Sequence, residues 1–234
     1  MSWYNRGMVV GCVTCDWERD IARRARPVRA RYKCHRCRQP ITRVSVFSWA
    51  EWIEERADTL ERQRQKGELG TRLQTRRDCD RNISADGIGA ELAACMILAP
   101  WKLRDWMHAA TASGSNRGRD LPAEWFADGR PIEVKYTSAS CGHLLVRPPR
   151  NTPGPMLKRY IDDSIYLLLT GTPYTYAAVG WAGRSDFLKW GRLNPIPIRG
   201  RQRECWGIHA SNLNDMEMLF ELLGTPRKAR AVRH

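Results

Sequence analysis

Two groups of residues in this 234-residue chain have types and spacings that could do chemistry. The first lies at its centre. Asp120 is followed, after twelve residues, by Glu133-Val134-Lys135. The segment Pro131-Ile132-Glu133-Val134-Lys135-Tyr136-Thr137 alternates as a strand does, so Glu133 and Lys135 project from one face and Ile132, Val134 and Tyr136 from the other. Asp128-Gly129-Arg130 reads as a turn, which lets a strand beginning at Asp120 fold back so that its carboxylate reaches Glu133. Two carboxylates of this kind are hard oxygen ligands suited to Mg²⁺ or Mn²⁺, and the Val134 carbonyl could add a third oxygen. An ammonium at Lys135 can orient or help deprotonate an attacking water and screen phosphate charge. Upstream, Glu91 stands beside an apolar helical stripe, where a carboxylate is costly to bury without a cation or donor. It could join the ion directly or through water.

The second group is cysteine. Cys12-Val13-Thr14-Cys15 and Cys34-His35-Arg36-Cys37 are two CxxC pairs separated by eighteen residues. Two residues between thiolates let a tight knuckle aim both sulfurs at one tetrahedral ion, and a second knuckle completes the site. Cys12, Cys15, Cys34 and Cys37 are therefore expected to hold a structural Zn²⁺. An ion would supply stability that roughly 50 residues cannot gain from a core of their own. The loop between the pairs carries Arg23, Arg24, Arg26, Arg29, Arg31 and Lys33, a pattern able to grip phosphates. A zinc ribbon can equally hold a protein partner, and that alternative stays open.

Elements must position these groups. Ser48-Trp49-Ala50-Glu51 resembles a helix-capping box, and Trp49, Trp52, Ile53, Ala57 and Leu60 then recur at helical spacing along one apolar face. Gly67 and Gly70 suggest a break. Residues from Asp86 to Leu98 read as a helix with Ile88, Leu92, Cys95 and Met96 on one side. Further on, Leu144-Leu145-Val146-Arg147, Ile161 to Gly171 and Tyr174 to Trp181 read as strands. A short helix starts at Ser185, and a final one follows Asn214-Asp215. Trp181, Trp190 and Trp206 are expected in the core, and His143 and His209 at the surface. The predicted organisation is a cysteine module over 1–47, a connecting helix over 48–79, an α/β domain over 80–225 and a basic tail over 226–234.

Charge narrows the partners. Lys and Arg number 39 against 25 Asp and Glu, a formal net charge of +14. Eleven basic residues against three acidic ones fall in residues 1–47 alone. Such an excess favours a polyanion, because basic groups near phosphates release condensed counterions. Arg147, Arg150 and Lys158 are further candidate phosphate contacts beside the central group. With a mean hydropathy of −0.55 and no apolar run near the roughly 20 residues a helix needs to span a bilayer, no membrane partner is expected, and a cytoplasmic location is expected. No Gly-rich phosphate loop argues for ATP-driven work, and no Cys–His nucleophile pair competes with the carboxylates.

Taken in order, the helical Glu91 in Gly89-Ala90-Glu91, then Asp120, then Glu133-Val134-Lys135, resemble the PD-(D/E)XK nuclease superfamily. Ser113-Gly114-Ser115 and the 132–137 strand are similar to archaeal-type Holliday junction resolvases. The weaker pattern through His209-Ala210-Ser211-Asn212-Leu213 looks like phage-associated nuclease-fold proteins. One departure is that Asp120 follows Arg119 rather than proline. The resemblance implies a restriction-endonuclease-like fold, a mixed central β-sheet flanked by helices. It also implies divalent-metal hydrolysis of DNA phosphodiesters leaving 5′-phosphate, on duplex or branched substrates, in recombination, repair or phage genome processing within the host cytoplasm. Glu91, Asp120, Glu133 and Lys135 would be the catalytic residues, the first three holding the ion. A homodimer is open on symmetry grounds. The rival readings are a non-catalytic zinc-ribbon regulator on a nuclease-like scaffold and an RNA-directed nuclease.

Overall fold

The computed structural model describes residues 8–12, 17–21, 42–65, 77–112, 120–138, 142–146, 161–198 and 201–224. Its centre is a six-stranded mixed sheet. The strands are β1 (Met8–Cys12), β2 (Trp17–Ile21), β3 (Arg43–Ser45), β4 (Ile132–Thr137), β6 (Ile165–Thr172) and β7 (Thr175–Ala182), in the order β2-β1-β3-β7-β6-β4. The β4 and β6 strands run parallel, with Ile132 opposite Ile165 and Glu133 opposite Tyr166, and the other neighbours are antiparallel. A second sheet of three antiparallel strands joins β5 (His143–Val146), β9 (Arg201–His209) and β8 (Arg192–Ile198) in that order.

Side-chain alternation along β6 divides the interior in two. Ile165, Leu167 and Leu169 belong to the larger core, with the buried faces of α1 (Ala50–Gln65), α2 (Arg77–Leu98), α3 (Leu103–Ala112) and α5 (Met216–Leu223). Tyr166 and Leu168 belong to a smaller core, with Leu144 and Val146 of β5, Ile208 of β9 and Phe187 of α4 (Arg184–Trp190). A strand buried on both faces needs apolar residues at successive positions, and Ile165-Tyr166-Leu167-Leu168-Leu169 supplies them. The mixed α/β architecture with a mixed sheet flanked by helices is thus as the sequence indicates.

The helix over the larger core is almost wholly enclosed. Every residue of α2 from Leu92 to Leu98 is buried, as is Ala99. Small residues allow the approach. At Gly89 a β-carbon would run into the Tyr176 ring, 2.8 Å from its Cζ. The helical stripe expected on α1 is also present, with Trp49, Trp52, Ile53 and Ala57 buried and the Trp52 and Trp106 rings 5.9 Å apart.

Some details depart from expectation. Ser48 does not begin the α-helix; Phe47–Trp49 form a 3₁₀ turn, and α1 starts at Ala50. Placing Trp49 in that tighter turn still buries its ring. Trp190 was expected in the core but is 45% exposed, with Lys189 Nζ 4.7 Å above its ring. It is the last residue of a short helix, one turn beyond the buried Phe187, and sharing that helical face does not carry it into the core. Trp181 is buried and Trp206 half-buried. The central sheet also crosses the boundary expected near residue 47, since β1 pairs with β3 and β3 with β7. Among the described residues no helix is long and apolar enough to cross a membrane.

Candidate active site

The four central residues converge on β4, the last strand of the six-stranded sheet. Asp120 comes first in its construction. Leu121 and Ile132 exchange two backbone hydrogen bonds, 3.0 and 2.9 Å, and form an isolated antiparallel bridge rather than the full hairpin strand expected from Asp120 onward. The ladder would next require a backbone acceptor for the Val134 N–H. Asp120 provides a side-chain one: Val134 N–H donates to its Oδ2 at 2.7 Å. A charged acceptor makes this a strong bond, on the order of 1.5–3 kcal/mol. The Asp120 carbonyl accepts from the Trp106 indole N–H at 3.2 Å, so α3 pins the same residue from behind. Within a strand the N–H and C=O of one residue point the same way, as the Ile132 bonds to Leu121 show. The Val134 carbonyl therefore opens on the edge where the Asp120 carboxylate sits.

Alternation puts Glu133 and Lys135 on one face of β4, both half-buried, while Ile132 and Val134 are buried on the other. Lys135 Nζ lies 3.2 Å from Glu133 Oε2. This face is the one shared with Tyr166, whose hydroxyl feels the Glu133 charge. The opposite face is covered by α2, where Tyr136 feels Asp86 instead.

Glu91 belongs to that second face. Its carboxyl is pushed well above the usual carboxylate range, first by burial and then by Asp120, with Glu133 adding to the rise; Lys135 and Arg56 oppose it. Asp120, Glu133 and Lys135 are thus all within electrostatic reach of Glu91. They arrive from different directions: Glu91 from beneath β4, Glu133 and Lys135 from above it, and Asp120 along its edge. Among the described residues no three His, Cys, Asp or Glu side chains are gathered closely enough to hold an ion between them. The donor set fits Mg²⁺ in a different way. Mg²⁺ is commonly held by one or two carboxylates, with water and substrate oxygens filling the other positions. The carboxylates of Asp120 and Glu133 and the Val134 carbonyl are donors of the types that habit calls for.

Several contributors were not read from the sequence. Arg56 of α1 is buried, 7% exposed, and its charge interacts with Glu91. Burial pushes its guanidinium below the ordinary range, and Glu91 pulls it back up. The signal was present: 49, 52, 53, 56, 57 and 60 make one helical stripe, and Arg56 is the charged residue in it. Trp106 and Gly89 gave no such signal, because each acts by contact with a distant segment. Nearby, Glu54 accepts a hydrogen bond from the Tyr174 hydroxyl, and Asp86 is raised by burial and then by Glu54.

The remaining candidates are not brought to this site by the described structure. Cys12 is the last residue of β1, opposite Trp17, but its side chain lies outside the described residues, as do Cys15, Cys34 and Cys37. Arg23, Arg24, Arg26, Arg29, Arg31, Lys33, Arg147, Arg150 and Lys158 lie outside them too. His143 and His209 are exposed, paired across β5 and β9 with ring centroids 5.0 Å apart, and His209 Nδ1 is 2.8 Å from Ser211 Oγ. In comparisons with known protein families, curated proteins and solved structures, nothing matches this chain.

Proposed function

We propose that the chain is a divalent-metal-dependent endonuclease that hydrolyses DNA phosphodiester bonds, built on a restriction-endonuclease-like core. The observation that carries the reading is the meeting of Glu91, Asp120, Glu133 and Lys135, from a helix, a bridge and a strand, around one open sheet edge. The net charge of +14 supports a polyanionic substrate.

The chemistry follows from the groups. Asp120 and Glu133 would hold Mg²⁺ or Mn²⁺ with the Val134 carbonyl, and the ion when bound supplies Lewis acidity at the scissile phosphate. Lys135 hydrogen-bonds the attacking water and screens the charge that builds on the phosphoryl oxygens. Attack at phosphorus forms one P–O bond as the P–O3′ bond breaks, leaving a 5′-phosphate and a 3′-hydroxyl. Glu91 orients water at the edge. Cys12, Cys15, Cys34 and Cys37 would hold a structural Zn²⁺, with the arginine-rich segment between the pairs gripping the DNA backbone. The substrate is duplex or branched DNA.

Labelled duplex, four-way-junction and RNA substrates, incubated with Mg²⁺, Mn²⁺ or EDTA, test the reading. Cleavage of DNA in Mg²⁺ that stops in EDTA and in Lys135→Ala is the expected result. Equal behaviour of wild type and Lys135→Ala on every substrate refutes the enzyme and leaves a nucleic-acid-binding scaffold. The Glu133–Lys135 ion pair would then be structural. Metal analysis of the purified chain, compared with Cys34→Ser, tests the zinc site separately.

A further inference from the structure

We propose that the hairpin of β8 and β9 is a DNA-binding ribbon that enters the major groove of a B-form duplex, with Arg201 and Arg203 as its contacts. The inference rests on the DNA reading above, from which it takes the polyanion, but not on cleavage.

The first ground is topology. The β5 strand pairs with positions 206–209 of β9. The β8 strand pairs with β9 from Gly207 back to Arg201. Among the described residues no other strand pairs with positions 201–205, so these and positions 194–198 continue past the three-stranded sheet as a two-stranded ribbon. Its five residue pairs, at roughly 3.4 Å each, make it about 17 Å long. The sheet it leaves shares the smaller core with Tyr166 and Leu168. Tyr166 stands opposite Glu133 in the parallel ladder, so the ribbon starts from the side of the main sheet that carries Glu133 and Lys135.

The second ground is the ribbon's edge. The Ala210 N–H donates to the Gly142 carbonyl at 3.2 Å, which makes His143 and His209 a non-hydrogen-bonded pair. Alternation along β9 then turns the backbone groups of positions 201, 203, 205 and 207 toward β8, and those of 202 and 204 away from it. Pro195 and Pro197 stand opposite Glu204 and Gln202. Their nitrogens therefore fall on the outer edge of β8, which lacks those donors and is closed to a further strand. Such a ribbon meets a partner by its faces and not by extending a sheet.

The third ground is charge. Arg192–Ile198 and positions 201–205 bring three arginines, Arg192, Arg201 and Arg203, against one acid, Glu204. Arg201 and Arg203 are two positions apart and so share one face of the ribbon. The major groove of B-form DNA, about 12 Å wide, admits a two-stranded ribbon, and arginine there can bond phosphates or guanine O6 and N7. The deep, narrow major groove of an RNA duplex does not admit it.

Binding of a labelled DNA duplex to the full chain, followed by fluorescence anisotropy in Ca²⁺ over a range of salt, tests the assignment, with thermal unfolding measured alongside. Wild type should bind the DNA duplex more tightly than an RNA duplex of the same sequence, and should protect guanine N7 from dimethyl sulfate. In the double variant Arg201→Gln, Arg203→Gln, DNA affinity should fall about tenfold or more, the slope of log affinity against log salt should shrink by about 2, and the melting temperature should hold. If that variant melts lower, Arg201→Lys, Arg203→Lys decides, since it keeps the charge and should keep most of the salt slope while losing N7 protection. A lysine variant that falls as far as the glutamine one makes the arginines structural and overturns the proposal. So do unchanged DNA binding in the glutamine variant, equal binding of DNA and RNA duplexes, or unprotected N7. A glutamine variant altered only in oligomeric state makes the ribbon an interface between copies, and also overturns it. A wild type that binds no DNA sinks the DNA reading and this inference with it. A wild type that binds and cuts DNA, beside an unaltered glutamine variant, sinks the inference alone.

Discussion

Strands β4 and β6 lie side by side in parallel, yet they differ in what their faces carry. The β6 strand is apolar on both faces, with Ile165, Leu167 and Leu169 in the larger core and Tyr166 and Leu168 in the smaller. The β4 strand shares the larger core through Ile132 and Val134 but turns Glu133 and Lys135 to the other side. Their places in the sheet explain the difference. The β6 strand is interior, between β7 and β4, whereas β4 ends the sheet and pairs beyond itself only through the Leu121 bridge and the Asp120 carboxylate. A half-open edge tolerates charge that an interior strand could not solvate. Apolar burial is concentrated in β6, and the charged groups are carried by β4.

Four substitutions would break or sharpen that contrast. Leu167→Ala in β6 should cost about 2–5 kcal/mol, as a fully buried leucine does. Urea unfolding measures it, and a loss below about 1 kcal/mol would show that β6 is not the mechanical centre. On β4, Lys135→Ala should leave stability nearly unchanged while cleavage falls by about 10²–10³, the usual scale for losing one stabilising donor. A stability loss as large as that of Leu167→Ala would erase the distinction between the strands.

The next two act on α2, which serves both strands. Gly89→Ala would press a methyl group into the Tyr176 ring. A destabilisation of about 1–3 kcal/mol is expected from such overpacking, together with weaker metal activation as Glu91 is displaced. Full activity in a stable Gly89→Ala protein would show that the seat of α2 does not matter to the site. The smallest effect is that of Glu91→Gln. The folded-state Glu91 carboxyl is raised above its unfolded value, so the native chain binds the proton more tightly. Its contribution to stability is full below the unfolded value and is lost as pH rises through the folded one. The metal-free Glu91→Gln protein should therefore melt higher than wild type near pH 8, by roughly 2–4 °C for each kcal/mol of relieved charge burial, with the difference fading in acid. A Tm gap that does not change with pH would assign the effect to packing instead.

Legibility in the sequence followed the range of the interaction. The alternation of Ile132, Glu133, Val134 and Lys135 depends on the two-residue period of a strand, and the faces came out as read. The stripe of Ile88, Leu92, Cys95 and Met96 depends on the helical period and is buried as read. Asp120 was legible as a partner of the strand but not in its form. Whether its side chain or a longer ladder would satisfy Val134 depends on where the bridge at Leu121 stops, which local pattern does not encode. Trp190 misled because an aromatic in a short helix carries no periodicity long enough to assign its face.

The sequence alone determined which residues could share a strand or helix face, because those relations are set by backbone periods over a few positions. It also determined the charge excess and the paired cysteines. Tertiary structure decided that β4 ends the sheet and that Glu91 and Glu133 approach it from opposite sides. It also buried Arg56 of α1 in the layer that packs on α2. Those facts depend on how α1 and α2 stack on the sheet, and stacking is fixed by the fit of whole surfaces, such as Gly89 against Tyr176, which no local spacing records.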